Sequence, residues 1–156
     1  MLGGQSGHAW NKDKVYGMQW GDPEDKTKFP SSYEIRKSFV DPFINEEHVV
    51  LEIGPGGGRW TKYLLGMKQV YVVDYHEEML SELKKTYNKP NMTFIKNNGT
   101  DFPGVPDESV DYLVSIGVFV HLHLDLIDEY LKNMFRIVKP GANIIIQYSN
   151  KNVIGG

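Results

Sequence analysis

A short apolar run, residues 48–53 (HVVLEI), feeds directly into a loop in which four of five residues, Gly54, Gly56, Gly57 and Gly58, are glycine. Nothing else in the chain limits its folding as tightly. Glycine has no Cβ, so the backbone can turn sharply at positive φ and lie against a bound molecule with no side chain between them. A turn by itself does not need so many glycines. Downstream, Trp60, Tyr63, Leu64 and Met67 recur at helical spacing and predict a helix straight after the loop. Val70 to Asp74 reads as a second strand, which completes the opening of a nucleotide-binding βαβ unit. Asp74 ends that strand about twenty residues beyond the first glycine, where a carboxylate can accept hydrogen bonds from both hydroxyls of a ribose.

The rest of the chain repeats the alternation. Ser31 or Ser32 is placed to cap a helix through Phe43, with Ile35, Phe39 and Val40 as its apolar face and Asp41-Pro42 pressing it to end. A helix from about Glu77 to Tyr87 and a strand over Met92–Lys96 follow, then a loop rich in glycine and proline from Asn97 to Glu108. Val110–Ile116 is apolar enough for a strand buried on both faces. Ile127, Leu131, Met134, Phe135 and Val138 repeat at helical spacing until Lys139-Pro140-Gly141 stops them, and Asn143–Gln147 is the fifth strand. This pattern predicts an α/β fold, a doubly wound Rossmann-like parallel sheet with helices on both faces. Residues 1–30, polar and broken by glycine and proline, read as an irregular N-terminal arm, and residues 31–156 as one cofactor-binding domain. A ligand belongs beyond the C-terminal edge of the strands, near the switch point beside strand one.

Composition closes off several classes of function. The absence of cysteine removes disulfides, zinc thiolates and cysteine nucleophiles together. A net charge of −3 gives no general attraction to nucleic acid or anionic membrane, so neither is an expected partner. No apolar run approaches the length of a membrane span and the N-terminus has no signal-peptide core, so the expected location is cytoplasmic.

Spacing within the loop separates two kinds of ligand. A dinucleotide fingerprint, G-x-G-x-x-G, counted from Gly54 puts Arg59 at its last position, and the match fails. The P-loop Lys-Ser/Thr pair is missing as well. What stands here is an acidic residue followed by alternating glycines: Glu52, Gly54, Gly56, Gly58. In this the chain resembles the class I S-adenosylmethionine-dependent methyltransferases. LEIGPGGGRW is similar to the family's first motif and VVDYHEEML to its second, while PDESVDYLVS resembles the lead into strand four and VKPG the turn before strand five. The resemblance covers about residues 48–147.

The resemblance implies a methyltransferase with S-adenosyl-L-methionine as cofactor and a small-molecule methyl acceptor. Gly54, Gly56 and Gly58 give the backbone its approach, and Glu52 lies near the amino-acid end, whose ammonium and sulfonium attract a carboxylate. Asp74 takes the ribose, Tyr75 packs on adenine, and Asn98 stands where the family has an acid that accepts from the adenine amino group; an amide oxygen can accept the same bond. A slip of register would give that role to Asn97 or Asp101. His121, after strand four, is the candidate general base. Each residue also has a plainer reading: Asp74 capping the next helix with Glu77, Tyr75 an exposed aromatic, Asn98 a turn former, His121 a cap or packing group. His121 and His123, with only Asp125 nearby, do not make a metal site. Trp10, Tyr16, Trp20 and Tyr33 are either a lid that embraces an ammonium by cation–π contact or ordinary packing.

Family members continue past the fifth strand with another helix and two more strands, which the resemblance does not find here. The expected strand order is therefore 3-2-1-4-5 with the fifth strand at an edge, open to self-association or to a partner that completes the sheet. Two rival functions remain: a cofactor-binding module that is non-catalytic or completed by a partner, and an NAD-dependent oxidoreductase.

Overall fold

The computed structural model describes residues 21–149. Its centre is one sheet of five parallel strands, β1 (Val49–Ile53), β2 (Gln69–Asp74), β3 (Met92–Lys96), β4 (Val110–Ser115) and β5 (Val138–Ile146), in the order β3-β2-β1-β4-β5. Three helices accompany it: α1 (Pro30–Ile35), α2 (Glu77–Thr86) and α3 (Leu124–Ile137). Parallel neighbours cannot be joined by a tight hairpin, so the chain must cross a face of the sheet between strands. The two faces are read directly from residue alternation. Val50, Val70, Val72, Tyr112 and Val114 pack on one side with Leu64 and with Leu80 and Leu83 of α2. Leu51, Ile53, Val73 and Leu113 pack on the other with Tyr130, Met134 and Ile137 of α3. Each such apolar side chain contributes about 1.5–3 kcal/mol by leaving water.

β1 lies in the middle, paired with β2 from Val49↔Gln69 to Ile53↔Val73 and with β4 through Leu51↔Leu113. Its last residues therefore have strands on both sides and layers above and below, and Glu52 is carried inside with them. Tyr112, fully buried in β4, donates its hydroxyl to the Phe39 carbonyl at 2.7 Å and ties the leading helical segment to the sheet. That segment is helical from Pro30 to Phe43, as α1, one wide turn over Arg36–Val40 and a 3₁₀ turn over Asp41–Phe43. It does not start on a serine. Phe29 is its N-cap without a side-chain bond, and Pro30 takes the first position, where a missing N–H costs nothing and φ is already set. Of the expected apolar face, Val40 is buried and Phe39 is exposed.

The largest departure from expectation follows the glycine loop. No α-helix forms there; only Thr61–Tyr63 make a 3₁₀ turn. Tyr63, Leu64 and Met67 each donate their N–H three residues back, to Trp60, Thr61 and Leu64. The apolar periodicity is real, since Trp60 and Leu64 are buried, but spacing of three serves a string of tight turns as well as a helix. The stretch between Gly58 and Gly66 is too short to hold a helix by itself. Tertiary bonds take its polar groups instead: Asn91 Nδ2 donates to the carbonyls of Leu65 and Met67 at 3.2 and 2.6 Å.

β5 also begins earlier than expected, at Val138, the residue after α3 ends. Val110 pairs with Val138 and Tyr112 with Asn143, so the intervening Lys139-Pro140-Gly141-Ala142 bulges out of the ladder. Proline has no N–H to give, and the bulge is where its absence is harmless. In α3 the buried face runs through Tyr130, Met134 and Ile137, which turns Phe135 outward to 74% exposure. Adjacent residues on a helix are about 100° apart, so Met134 and Phe135 cannot both face the sheet. Among the described residues β5 has one strand neighbour, β4, and Ile144, Ile145 and Ile146 are only partly buried. No helix of the described residues is long and apolar enough to cross a membrane. Trp10, Tyr16 and Trp20, and residues from 150 onward, lie outside the described residues.

Candidate functional site

The C-terminal ends of β1, β2 and β3 bring Glu52, the glycine loop, Asp74, Tyr75 and Asn98 to one edge of the sheet, and His121 follows β4 at the same edge. Gly54, Gly56 and Gly58 have φ of +70°, +55° and +89°, a region that side chains disfavour. Gly54 N–H donates to the Val73 carbonyl at 2.8 Å, so the loop turns away from β1 while still pinned to β2. A Cβ on Gly54 would run into Val118, and one on Gly58 would stand 2.7 Å from Leu83 and 2.5 Å from the Tyr87 ring. The fold itself thus requires glycine at both positions.

Glu52 is fully inside the protein, and among the described residues its carboxylate accepts one hydrogen bond, from the Thr61 hydroxyl at 2.6 Å. Burial pushes its pKa up to about 7; the Thr61 bond pulls it down, and the charge of Asp74 raises it further. The cations flanking Thr61 face elsewhere. Arg59 stacks on Trp60 and donates to the Gly21 carbonyl, while Lys62 pairs with Asp22 and Glu24.

Asp74 has a pKa raised by burial, against the opposing hydrogen bond from the His76 N–H. Its Oδ1 accepts that N–H at 2.8 Å and lies 3.3 Å from the His76 ring; among the described residues Oδ2 has no partner. It is not a helix cap, because His76 is the N-cap of α2 and makes no side-chain cap bond. The Tyr75 ring is 43% exposed, edge-on to His76, with the Lys96 ammonium 5.7 Å from its centre. Asn98 is a turn former in this structure. Its Oδ1 accepts the backbone N–H groups of Thr100 and Asp101 at 3.0 and 3.1 Å, and Asp101 Oδ1 accepts the Asn98 N–H at 2.8 Å. The amide oxygen is thereby taken up by the turn. Asn97 is buried and donates to the Tyr130 hydroxyl and the Asp101 carbonyl, which fastens this loop to α3.

His121 ends the 3₁₀ turn Phe119–His121 and is exposed; no side-chain hydrogen bond holds it within the described residues, and the N-cap of α3 is His123. The cap and packing alternatives for His121 find no support in that placement. Among the described residues no group of three His, Cys, Asp or Glu side chains could hold a metal ion. A groove of about 280 Å³ lined by Phe135, Val138, Ala142 and Ile144 sits at the N-terminal end of β5, opposite the edge that carries the glycine loop. Sequence reasoning missed Thr61 and Val118. Thr61 had one signal, a polar β-branched residue inside a run expected to be helical and apolar; Val118 had none.

A family model described as "Methyltransferase domain" matches residues 50–141, more than half of the chain. The chain belongs to this methyltransferase family. That sets aside the dehydrogenase alternative. No curated protein matches the sequence. Among solved structures, an S-adenosylmethionine-dependent methyltransferase from Aquifex aeolicus is 26% identical, with 86% of this chain and 77% of that chain covered and a TM-score of 0.62. Phosphoethanolamine N-methyltransferase 1 of Haemonchus contortus, in complex with phosphoethanolamine and S-adenosylhomocysteine, is 20% identical over 68% of this chain and 23% of its own, at a TM-score of 0.60, and shows the shared fold. The complex of the Haloferax volcanii Trm112 methyltransferase activator with a methyltransferase gives 25% identity, 65% and 45% coverage, and a TM-score of 0.58. This methyltransferase domain spans between 23% and 52% of the length of three of the structures it resembles.

Proposed function

We propose that this domain binds S-adenosylmethionine at the C-terminal edge of β1–β3 and transfers its methyl group to a small-molecule acceptor. The observation that carries this reading is the pair of largely buried carboxylates, Glu52 and Asp74, at the ends of adjacent strands behind a glycine loop, with no Lys or Arg paired to either among the described residues. A cation beside such acids favours their ionised forms, and a pyrophosphate would oppose them. The donor set therefore fits a ligand with an ammonium, a sulfonium and a ribose diol, and fits a dinucleotide poorly.

In this reading Glu52 faces the amino-acid end and Asp74 Oδ2 accepts from the ribose hydroxyls. The exposed Tyr75 ring offers its face to the adenine. Asn98 has its oxygen spent on its own turn, so its contribution is the Nδ2 donor, toward a ring nitrogen rather than the amino group. A methyl group activated on a sulfonium is the chemistry the cofactor supplies when bound. The protein's share is alignment of the acceptor. His121, exposed at the same edge, is the group available to take a proton from an acceptor hydroxyl or amine. Calorimetry with S-adenosylmethionine and with NAD, followed by mass spectrometry over an acceptor panel, tests the reading. Binding of the first alone and methylation of a small molecule are the expected results; binding of NAD alone would overturn it.

A second reading, a domain that works only with a partner, is favoured by β5, whose outer side has no strand neighbour among the described residues. Methylation by the chain alone would decide against it.

A further inference from the structure

The Thr61–Glu52 bond is a contact in the site that no motif announces. Thr61 has no solvent exposure, Glu52 has almost none, and the 2.6 Å separation is a short O–H···O hydrogen bond. Among the described residues, three titratable groups interact with the Glu52 charge: Asp74 from β2, Tyr112 from β4 and Tyr87 from the end of α2. All are acids, so none can neutralise it. Arg59 and Lys62, on either side of Thr61, are committed to Trp60, Gly21, Asp22 and Glu24. A carboxylate in such surroundings has one hydrogen bond to favour its charged form and burial to oppose it.

We propose that Thr61 is a positioning residue for the cofactor: its hydroxyl fixes the Glu52 carboxyl group that meets the cofactor's ammonium, and binding expels the Glu52 proton to solvent. This rests on the S-adenosylmethionine reading above. The step balances without a co-reactant. The O–H bond of neutral Glu52 breaks, its electron pair stays on the carboxylate, the proton goes to buffer, and the ammonium keeps all of its own. Because the ionised form receives the ligand, affinity rises with pH up to the value at which free Glu52 is already ionised, about 7, and levels off there. Removing the Thr61 hydroxyl takes away the bond that favours the charge, so the plateau moves to higher pH. Serine keeps the hydroxyl and should keep the profile.

The test is calorimetry of the full chain with S-adenosylhomocysteine, which has the ammonium, and with 5′-methylthioadenosine, which keeps ribose and adenine and lacks the amino-acid end. Titrations at about pH 6.5, in buffers of different ionisation enthalpy, count the protons released. S-adenosylhomocysteine should release a large fraction of one proton per molecule and 5′-methylthioadenosine about none. Thr61→Val should weaken S-adenosylhomocysteine by about tenfold or more and shift its pH profile upward, and Thr61→Ser should restore both. Should Thr61→Val fail to fold, Glu52→Gln carries the decision, since it must abolish the proton release. Binding of S-adenosylhomocysteine by the native chain without proton release, or a Thr61→Val profile unchanged with pH, overturns the proposal. If the folded chain binds neither ligand, the cofactor reading itself falls and takes this inference with it.

Discussion

Glu52 and Asp74 lie two strand positions from each other's level on adjacent strands, and both are held away from water. For Glu52 the consequence is a stability that depends on pH. Its folded pKa, about 7, stands above the ordinary 4.5, so the stability its neutral form contributes is complete below about pH 4.5 and is lost as pH rises through 7. The loss is on the order of 3 kcal/mol. Glu52→Gln cannot ionise, and its amide oxygen still accepts from Thr61. Melting curves should therefore show the native chain falling relative to Glu52→Gln between about pH 4.5 and 7, with the two close at the acid end. Parallel curves would mean that Glu52 ionises freely. Asp74 yields a prediction about binding: with one carboxylate oxygen lacking a partner among the described residues, Asp74→Ala should weaken S-adenosylmethionine by roughly 1.5–3 kcal/mol, the range for a hydrogen bond to a charged group. Unchanged affinity in a folded variant would remove Asp74 from the ribose.

At the scale of elements, the segment between the glycine loop and β2 is held by others' side chains rather than by its own ladder. Thr61 is fastened to β1, Lys62 to the 22–24 turn, and the carbonyls of Leu65 and Met67 to Asn91. Asn91→Ala should cost about 1–3 kcal/mol, because it leaves two carbonyls without their donor. Urea denaturation measures it, and a loss within error of zero would show that water serves those carbonyls equally well. Hydrogen exchange should find amides 59–67 opening more readily than those of α2, since turns of 3₁₀ type have the poorer hydrogen-bond geometry. Slower exchange there than in α2 would contradict this.

For the whole molecule, β5 is, with β3, one of the two edge strands of the sheet among the described residues. Its isoleucines face both layers and stay partly exposed, and its outer backbone has no strand beside it among the described residues. Exposed strand edges recruit other strands. The 156-residue chain should associate as its concentration rises, and light scattering reads the mass directly. A monomer at every concentration would show that this edge is covered.

Most of the architecture was legible in the sequence because it is written in local periodicity. β3 falls over Met92–Lys96 as expected, α2 differs by one residue at its end, and the strand order is the expected one. Alternation in Val50-Leu51-Glu52-Ile53 and the glycines at positive φ are likewise properties of the residues themselves. What the tertiary structure alone decided are outcomes of competition. A run spaced by three and four became tight turns, because Glu52 and Asn91 offered its polar groups better partners than a short helix between two glycines could. Asn98 spends its oxygen on its own turn, and among the described residues Asp74 keeps one oxygen without a partner and Glu52 has a hydroxyl and no cation. Periodicity records which side of an element is apolar. It does not record which partner a buried polar atom finds, because that partner comes from a distant part of the chain.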